Sequence, residues 1–172
     1  MKQRAVTTTG CFAEGIHPTM LKAAVEAKAE GICHPILLGN DERIEKLAKE
    51  LDLSLEGIEI INLRHDREAE RRERYARILS EKRARQGANL QESNDKMFER
   101  NYFGMMMVET GEADAFITGL YTKYSNTIKV AKEVIGIRLS TSTSARCTSS
   151  TPRKVRTSLP IRSSTAIPMQ KH

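Results

Sequence analysis

The sequence predicts an α/β protein of three layers, with helices on both faces of a mostly parallel sheet. Short strand-like segments alternate with longer segments that have the apolar spacing of helices, which is typical of strand–helix–strand units. The run Pro35–Leu38 is apolar throughout and does not alternate with polar residues, as expected for a strand buried on both faces. A chain of 172 residues is long enough to bury a core.

The first half of the chain supplies three of the predicted strands. Ala5–Phe12 is rich in Thr and mildly apolar, and we expect a strand there. Pro18 suits the first turn of a helix that continues through Thr19–Glu30 and stops at Gly31. Pro35–Leu38 is the second strand. Asp41 is predicted to cap a second helix, whose apolar stripe consists of Ile44, Leu47, Ala48 and Leu51.

The third strand, Ile58–Ile61, is followed by a long charged helix, Asp66–Gln86. In that helix Tyr75, Ile78 and Leu79 are expected to point inward, and the remaining charges to form a solvated face with pairs four residues apart. The last predicted elements are a helix Asn101–Val108, a strand Ala115–Thr118 and a helix Ser125–Val134.

Ligands of such sheets bind at the carboxyl ends of the strands, so the loops found there are the candidate site. These loops are Glu14–His17, Gly39–Asp41, Asn62–Asp66 and Gly119–Ser125. Glu14 and Gly15 directly follow the first strand, where a carboxylate could orient a ligand and a glycine permits close approach of the backbone. The turn Thr118–Thr122 could offer backbone N–H groups and hydroxyls to a phosphate. Turns without any function remain an equally good interpretation of both segments.

Several classes of protein are disfavoured by the composition. The sequence has no P-loop and no G-x-G-x-x-G motif, and no apolar run of membrane-spanning length. Its four His have no paired spacing, and its three Cys fit neither a disulfide framework nor a zinc site. We therefore expect no metal, no membrane association, reduced thiols and a cytoplasmic location. The run Met105–Met107 is predicted to be core.

The net charge of +6 divides the chain into two parts. Residues 1–138 contain 22 basic and 22 acidic side chains, whereas residues 139–172 contain 6 basic, no acidic and 14 Ser or Thr residues. This tail has neither helical nor strand periodicity, so we expect it not to pack.

Several motifs in the first part resemble the phosphate acetyl/butyryltransferase family. They are Phe12–Gly15, Glu30–Gly39, Arg100–Gly104, Gly111–Ala115, Thr118-Gly119 and Val134–Gly136, in the family's order. The resemblance implies a two-lobed fold similar to isocitrate and isopropylmalate dehydrogenases, of which residues 1–138 would form an incomplete first lobe. It also implies an acyl-CoA and phosphate cleft, to which we assign Glu14, Gly15, Thr118, Gly119, Thr122 and Asn126 as binding residues. No catalytic residue is assigned.

The segment Tyr124–Val130 departs from the family's Thr-x-Asp-Thr-like run and is more similar to the C-terminal phosphotransacetylase-like domain of NADP-dependent malic enzymes. Our first hypothesis is therefore a fragment of that acetyl-CoA-responsive domain, with NADP and a divalent metal belonging to a missing domain. The alternative is a fragment of a phosphate acetyltransferase. Both imply acetyl-CoA as the ligand of the complete domain and a homo-oligomer of the complete protein. A third hypothesis is nucleic-acid binding by the basic tail, which the absence of aromatic residues there disfavours.

Family members continue into a second lobe instead of a Ser/Thr/Arg tail. One base lost after the codon of Arg138 would explain the difference, because restoring it lets Leu139-Ser140-Thr141 decode as Pro-Glu-Tyr. Apolar, strand-like runs then follow. We hypothesise that the chain is a truncated, frameshifted fragment of low stability and without activity; the competing hypothesis is a genuine disordered basic tail.

Overall fold

A computed structural model describes residues 8–84, 87 and 89–136. The first half contains strand β1 (Thr9–Phe12), helix α1 (Pro18–Ala29), strand β2 (His34–Leu38), helix α2 (Asp41–Glu50) and strand β3 (Glu59–Ile61). A short 3-10 turn (Asp66–Glu68) leads into helix α3 (Ala69–Lys82). Helix α4 (Leu90–Lys96), helix α5 (Arg100–Glu109), strand β4 (Ala115–Ile117) and helix α6 (Tyr124–Val134) complete the described chain.

The four strands form one parallel sheet in the order β3-β2-β1-β4. Cys11 lies opposite Ile36 of β2 and Phe116 of β4, which fixes the register of the two central pairs. The predicted α/β class and the mostly parallel sheet are thus confirmed. The predicted strand Ala5–Phe12 begins at Thr9 within the described residues, and its first residues lie outside them.

The sheet buries both faces, because neighbouring residues of each strand point to opposite sides. Phe12 and Leu37 pack against α1 and α2 in a cluster that includes Leu21, Ala24, Ile44 and Ala48. Cys11, Ile36 and Leu38 pack on the other side, against buried residues of α3, α5 and α6. Tyr75, Leu79 and the run Met105–Met107 are buried there, as the sequence predicts. Three layers therefore enclose two cores.

Helix α5 approaches the sheet closely at Gly104. A Cβ atom built on this glycine would lie 2.2 Å from Cε2 of Phe116 and 3.2 Å from Cδ1 of Leu38. Any larger residue would push the helix away from β4, so Gly104 sets the distance between the helix and the strands that end at the candidate site.

Three local predictions differ from the structure. Asn40, and not Asp41, caps α2, because its Oδ1 accepts a hydrogen bond of 2.9 Å from the N–H of Arg43. The predicted helix Asp66–Gln86 is a 3-10 turn followed by α3, which ends at Lys82. Helix α4 was not predicted; Asn89 caps it by accepting a hydrogen bond from the N–H of Glu92. The predictions for residues 139–172 lie outside the described residues.

The charged face of α3 is also arranged differently from the prediction. The pair Arg77–Glu73 is four residues apart, as expected, with Nη2 and Oε1 separated by 3.0 Å. Arg74 and Lys82, however, pair with Glu112 and Glu109. Glu109 ends α5 and Glu112 lies in the loop after it. The charged face of α3 therefore also connects α3 to α5.

Candidate functional site: a cleft at the carboxyl edge of the sheet

The carboxyl ends of the strands border a cleft of about 640 Å³. Strand β1 lies between β2 and β4, so the chain leaves β1 toward one side of the sheet and its later part returns on the other. Such a switch in strand order opens a crevice between the loops, which is where ligands of open parallel sheets bind. The lining comes from the segments after all four strands and from the start of α5.

Glu14 joins the two sides of this crevice. Its side chain follows β1, is almost completely buried, and accepts hydrogen bonds from three successive N–H groups of the turn after β4. The distances are 3.2 Å from Gly119, 2.8 Å from Leu120 and 2.8 Å from Tyr121. Burial alone raises the pKa of this carboxyl, but the backbone N–H groups outweigh burial and hold its pKa below the ordinary value of 4.5.

This arrangement changes the interpretation of the turn after β4. From the sequence, its N–H groups could bind a phosphate; in the structure, the carboxylate of Glu14 already occupies three of them. Gly119 has a φ of +133°, a backbone conformation that only glycine adopts easily, and it turns the chain so that the three N–H groups converge. Glu14 therefore fixes the shape of the turn, and the turn presents other groups to the cleft.

Gly15 permits the close approach that the sequence predicts. A Cβ atom there would lie 3.1 Å from both Cδ1 of Ile44 and Cβ of Leu37. Its N–H donates a hydrogen bond of 3.3 Å to the carbonyl oxygen of Leu38. The glycine thus packs the β1 loop against β2 and α2, next to the cleft but not in its lining.

The other candidate residues divide into two groups. Thr122 and Asn126 line the cleft together with Glu14. Thr118 and Gly119 lie behind the lining, where the hydroxyl of Thr118 donates to Oδ1 of Asn101 over 3.3 Å. The structure therefore brings Glu14, Thr122 and Asn126 to one surface, and places Thr118 and Gly119 where they support it.

Three arginines in the lining were missed from the sequence. Arg43 lies in the first turn of α2, Arg64 follows β3, and Arg100 begins α5. Because arginines on polar helix faces and in loops are usually solvated, nothing in their local sequence distinguishes them. The predicted loops Gly39–Asp41 and Asn62–Asp66 do contribute to the cleft, and Arg64 lies within the second of them.

Tyr121 lines the cleft, and its ring packs edge-to-face on the ring of His17, with the centroids 5.2 Å apart. Nδ1 of His17 accepts a hydrogen bond of 3.2 Å from the N–H of Thr19, and so caps α1.

Within the described ranges, no group of three or more His, Cys, Asp or Glu side chains could hold a metal ion. The described helices include none that is long and apolar enough to cross a membrane. Burial raises the pKa of Cys11 to about 12, with a smaller contribution from Glu59, so its thiol is inert and packs in the core.

A family model described as phosphate acetyl/butaryl transferase matches residues 2–152. Similar curated proteins include a phosphate acetyltransferase of Synechocystis, 36% identical over 124 residues, and one of Helicobacter pylori, 35% identical over 132 residues. These alignments cover 71% and 74% of this chain, but only 17% and 25% of the relatives. The chain therefore spans a quarter or less of the length of these two proteins.

The solved structures that resemble this chain are also phosphotransacetylases. The EutD phosphotransacetylase from Staphylococcus aureus is 26% identical, with a TM-score of 0.69 over 79% of this chain and 40% of its own. A phosphotransacetylase from Streptococcus pyogenes has a TM-score of 0.65, again at 26% identity, over 74% of this chain and 38% of its own.

The comparisons contradict our first hypothesis, a malic enzyme fragment, because the similar proteins are phosphate acetyltransferases. That hypothesis, with its NADP and divalent metal, depended on the departure in Tyr124–Val130. In the structure Tyr124, Ser125 and Asn126 are exposed at the start of α6.

Proposed function

The chain belongs to the phosphate acetyl/butyryltransferase family, and on that premise we propose that it is part of a phosphate acetyltransferase whose cleft binds acetyl-CoA and phosphate. The single observation that carries the proposal is the cleft at the strand-order switch, in a chain whose relatives are phosphate acetyltransferases. Glu14, Gly15, Thr118, Gly119, Thr122 and Asn126 remain our proposed site residues.

The proposed reaction moves an acetyl group between phosphate and a thiol. The thiolate sulfur of CoA attacks the carbonyl carbon of acetyl phosphate, a C–S bond forms, and the C–O bond to the leaving phosphate breaks. This chemistry depends mainly on holding two anionic substrates in line and on stabilising the negative charge of the carbonyl oxygen. Thr122 and Asn126 are suited to positioning, since they offer a hydroxyl and an amide donor in the cleft.

The turn after β4 contributes to the proposed site by its rigidity. Glu14 binds three of its N–H groups, so the position of Thr122, one residue further on, is determined by hydrogen bonds and not by loop mobility. A donor that is already positioned loses little conformational entropy when a ligand binds.

We further propose that the family's segment ends at Arg138 and that residues 139–172 are translated out of frame, although the match to the family model extends to residue 152. The nucleotide sequence decides this point. A gene in which one inserted base after the codon of Arg138 restores an apolar, strand-forming continuation is expected. Codons that cannot be restored in that way would contradict the frameshift. The cytoplasm as location and a homo-oligomer of the complete protein remain predictions.

Titration calorimetry of CoA into the full 172-residue chain tests the ligand proposal. We expect saturable binding, and about tenfold weaker binding by Asn126→Asp, because the change removes an amide donor and adds a negative charge to a cleft that binds an anion, an effect of about 1.4 kcal/mol. The matched control is Asn94→Asp in α4, outside the cleft lining, which should bind as the unchanged protein does. No saturable binding, or equal effects of the two variants, would contradict the proposal.

A further inference from the structure

The guanidinium groups of Arg43, Arg64 and Arg100 line the cleft without a hydrogen bond or ion pair to any described residue. For Arg43 and Arg64 this is ordinary, because both are exposed. Arg100 is different, since its Nη1 atom is buried and still has no acceptor among the described residues. A buried donor of a charged group that stays unpaired is costly, so an acceptor from a ligand would relieve that cost.

Arg43 and Arg64 lie on one side of the cleft. Arg64 follows β3 and Arg43 follows β2, which are neighbours at the edge of the sheet farthest from β4. Arg100 begins α5, next to Asn101, whose Oδ1 accepts a hydrogen bond from the hydroxyl of Thr118 after β4. The β4 side carries the uncharged Thr122 and Asn126 instead.

Two carboxylates also line the cleft, and neither neutralises the arginines. Glu14 points to the turn after β4, and both of its carboxylate oxygens accept hydrogen bonds from the N–H groups of that turn. Glu99 is exposed and forms no ion pair among the described residues. Three cations against one available carboxylate leave the cleft positive, which attracts an anionic ligand.

We propose that Arg43, Arg64 and Arg100 bind the phosphate groups of a CoA-type nucleotide thioester. The ligand then lies along the carboxyl edge of the sheet, with its polyphosphate end on the β2–β3 side and its acyl end at Thr122 and Asn126. This inference rests on the proposed function, and it adds the direction in which the ligand lies and the residues that read its phosphates. The planar fork of arginine suits phosphate oxygens, which it can bind in pairs.

Inorganic phosphate and acetyl phosphate offer the same chemistry from another source. The arrangement favours the nucleotide, because its three phosphoryl groups match three arginines that come from separate segments of the chain. A single phosphate would need the three side chains to converge on one point.

The test compares ligands that lose phosphates stepwise: CoA, dephospho-CoA without the 3′-phosphate, and pantetheine without any. Inorganic phosphate and acetyl phosphate are the competing ligands. Dissociation constants are measured for the full chain and for Arg43→Gln, Arg64→Gln and Arg100→Gln. Arg77→Gln is the matched control, because Arg77 pairs with Glu73 on the outside of α3.

We expect each cleft variant to bind CoA about tenfold more weakly, as the loss of one arginine–phosphate contact implies, and pantetheine as tightly as the unchanged chain does. Arg77→Gln should not differ from the unchanged chain. Arg100→Lys, which keeps the charge but not the fork, should bind CoA with intermediate strength; it also guards against misfolding of Arg100→Gln, together with a thermal melt of every variant.

Three results would overturn the inference. If the cleft variants bind CoA normally, the arginines do not read its phosphates, although the proposed function survives. If they lose inorganic phosphate or acetyl phosphate but keep CoA, the arginines bind the phosphate of the other substrate and not the nucleotide. If the unchanged chain binds neither CoA nor pantetheine, the proposed function fails as well.

Discussion

Helix α3 and the cleft both carry arginines, and the two sets differ in what they contact. Arg72 and Arg77 on α3, and Arg67 in the turn before it, all hydrogen-bond to backbone carbonyls or carboxylates. Arg74 joins them by pairing with Glu112. The cleft arginines Arg43, Arg64 and Arg100 contact no such group among the described residues.

The difference separates stability from binding. An arginine whose donors are already used holds the fold together and has little left for a ligand. An arginine that lines a cleft with all its donors unused adds little to stability and remains available to an anion. Substitution in the α3 set should therefore lower stability, and substitution in the cleft set should weaken ligand binding. Measurements of both quantities test this difference.

The largest stability effect is expected for Arg72→Gln. Arg72 is buried, its Nη1 donates to the carbonyl oxygens of Leu63 at 2.5 Å and His65 at 2.9 Å, and its guanidinium lies 4.7 Å from the ring centroid of Phe98. Losing these charged hydrogen bonds should lower the free energy of unfolding by about 3 kcal/mol. Urea denaturation measures it, with Arg77→Gln, expected to cost at most about 0.5 kcal/mol, as the exposed control. If both variants lost a similar free energy of unfolding, the buried hydrogen bonds of Arg72 would not stabilise the fold more than the exposed pair of Arg77 does.

The second-largest effect on stability is expected at Glu14, the cleft side chain whose oxygens are already hydrogen-bonded. Glu14→Gln should cost about 2 kcal/mol at neutral pH, since the amide accepts N–H bonds through one oxygen and turns an NH₂ group toward the same donors. The matched control is Glu73→Gln on the outer face of α3, where Glu73 pairs, within the described part of the chain, only with the exposed Arg77. We expect that control to change stability by less than about 0.5 kcal/mol.

The Glu14 contribution should also depend on pH. The pKa of Glu14 in the folded chain is below the ordinary 4.5. Its contribution to the free energy of unfolding is therefore complete above pH 4.5 and is lost as the pH falls through the folded pKa. The difference between the unchanged chain and Glu14→Gln should therefore shrink below about pH 4.5. A difference that stays constant down to the acid transition would show that the charge of Glu14 does not hold the turn.

The smallest stability effect is expected for the cleft itself. Arg43→Gln and Arg64→Gln should each change the free energy of unfolding by less than about 0.5 kcal/mol, because neither guanidinium has a partner among the described residues. Thermal melts without ligand measure it. A loss of more than about 1 kcal/mol would show that these arginines support the fold, and the comparison between the two sets would fail.

The sequence predicts the layers well because each is encoded locally. The apolar run Pro35–Leu38 and the stripe that begins at Ile44 need no knowledge of the rest of the chain. The run is buried as expected; in the stripe Ile44 and Ala48 are buried, and Leu47 and Leu51 are partly buried. Helix α4 was missed because its seven residues, LQESNDK, have no apolar stripe. The cap of α2 was placed one residue late because Asn40 and Asp41 are both good capping residues.

The candidate site was predicted in part for a similar reason. Glu14, Thr122 and Asn126 follow or flank strands, so strand order alone brings them to one edge. The bonds from Glu14 to the turn at Gly119 join residues about 105 positions apart, and only the finished sheet shows them. Arg100 was missed because its distinction, a buried nitrogen without an acceptor, exists only in the folded chain.

Hydrogen exchange of the full chain with and without CoA follows the cleft and helix α3 in one experiment. We expect slower exchange at residues 40–44, 62–64, 99–102 and 120–126 when CoA is added, and unchanged exchange along α3. Protection of α3 without protection of the cleft, or no change anywhere at saturating CoA, would contradict this expectation.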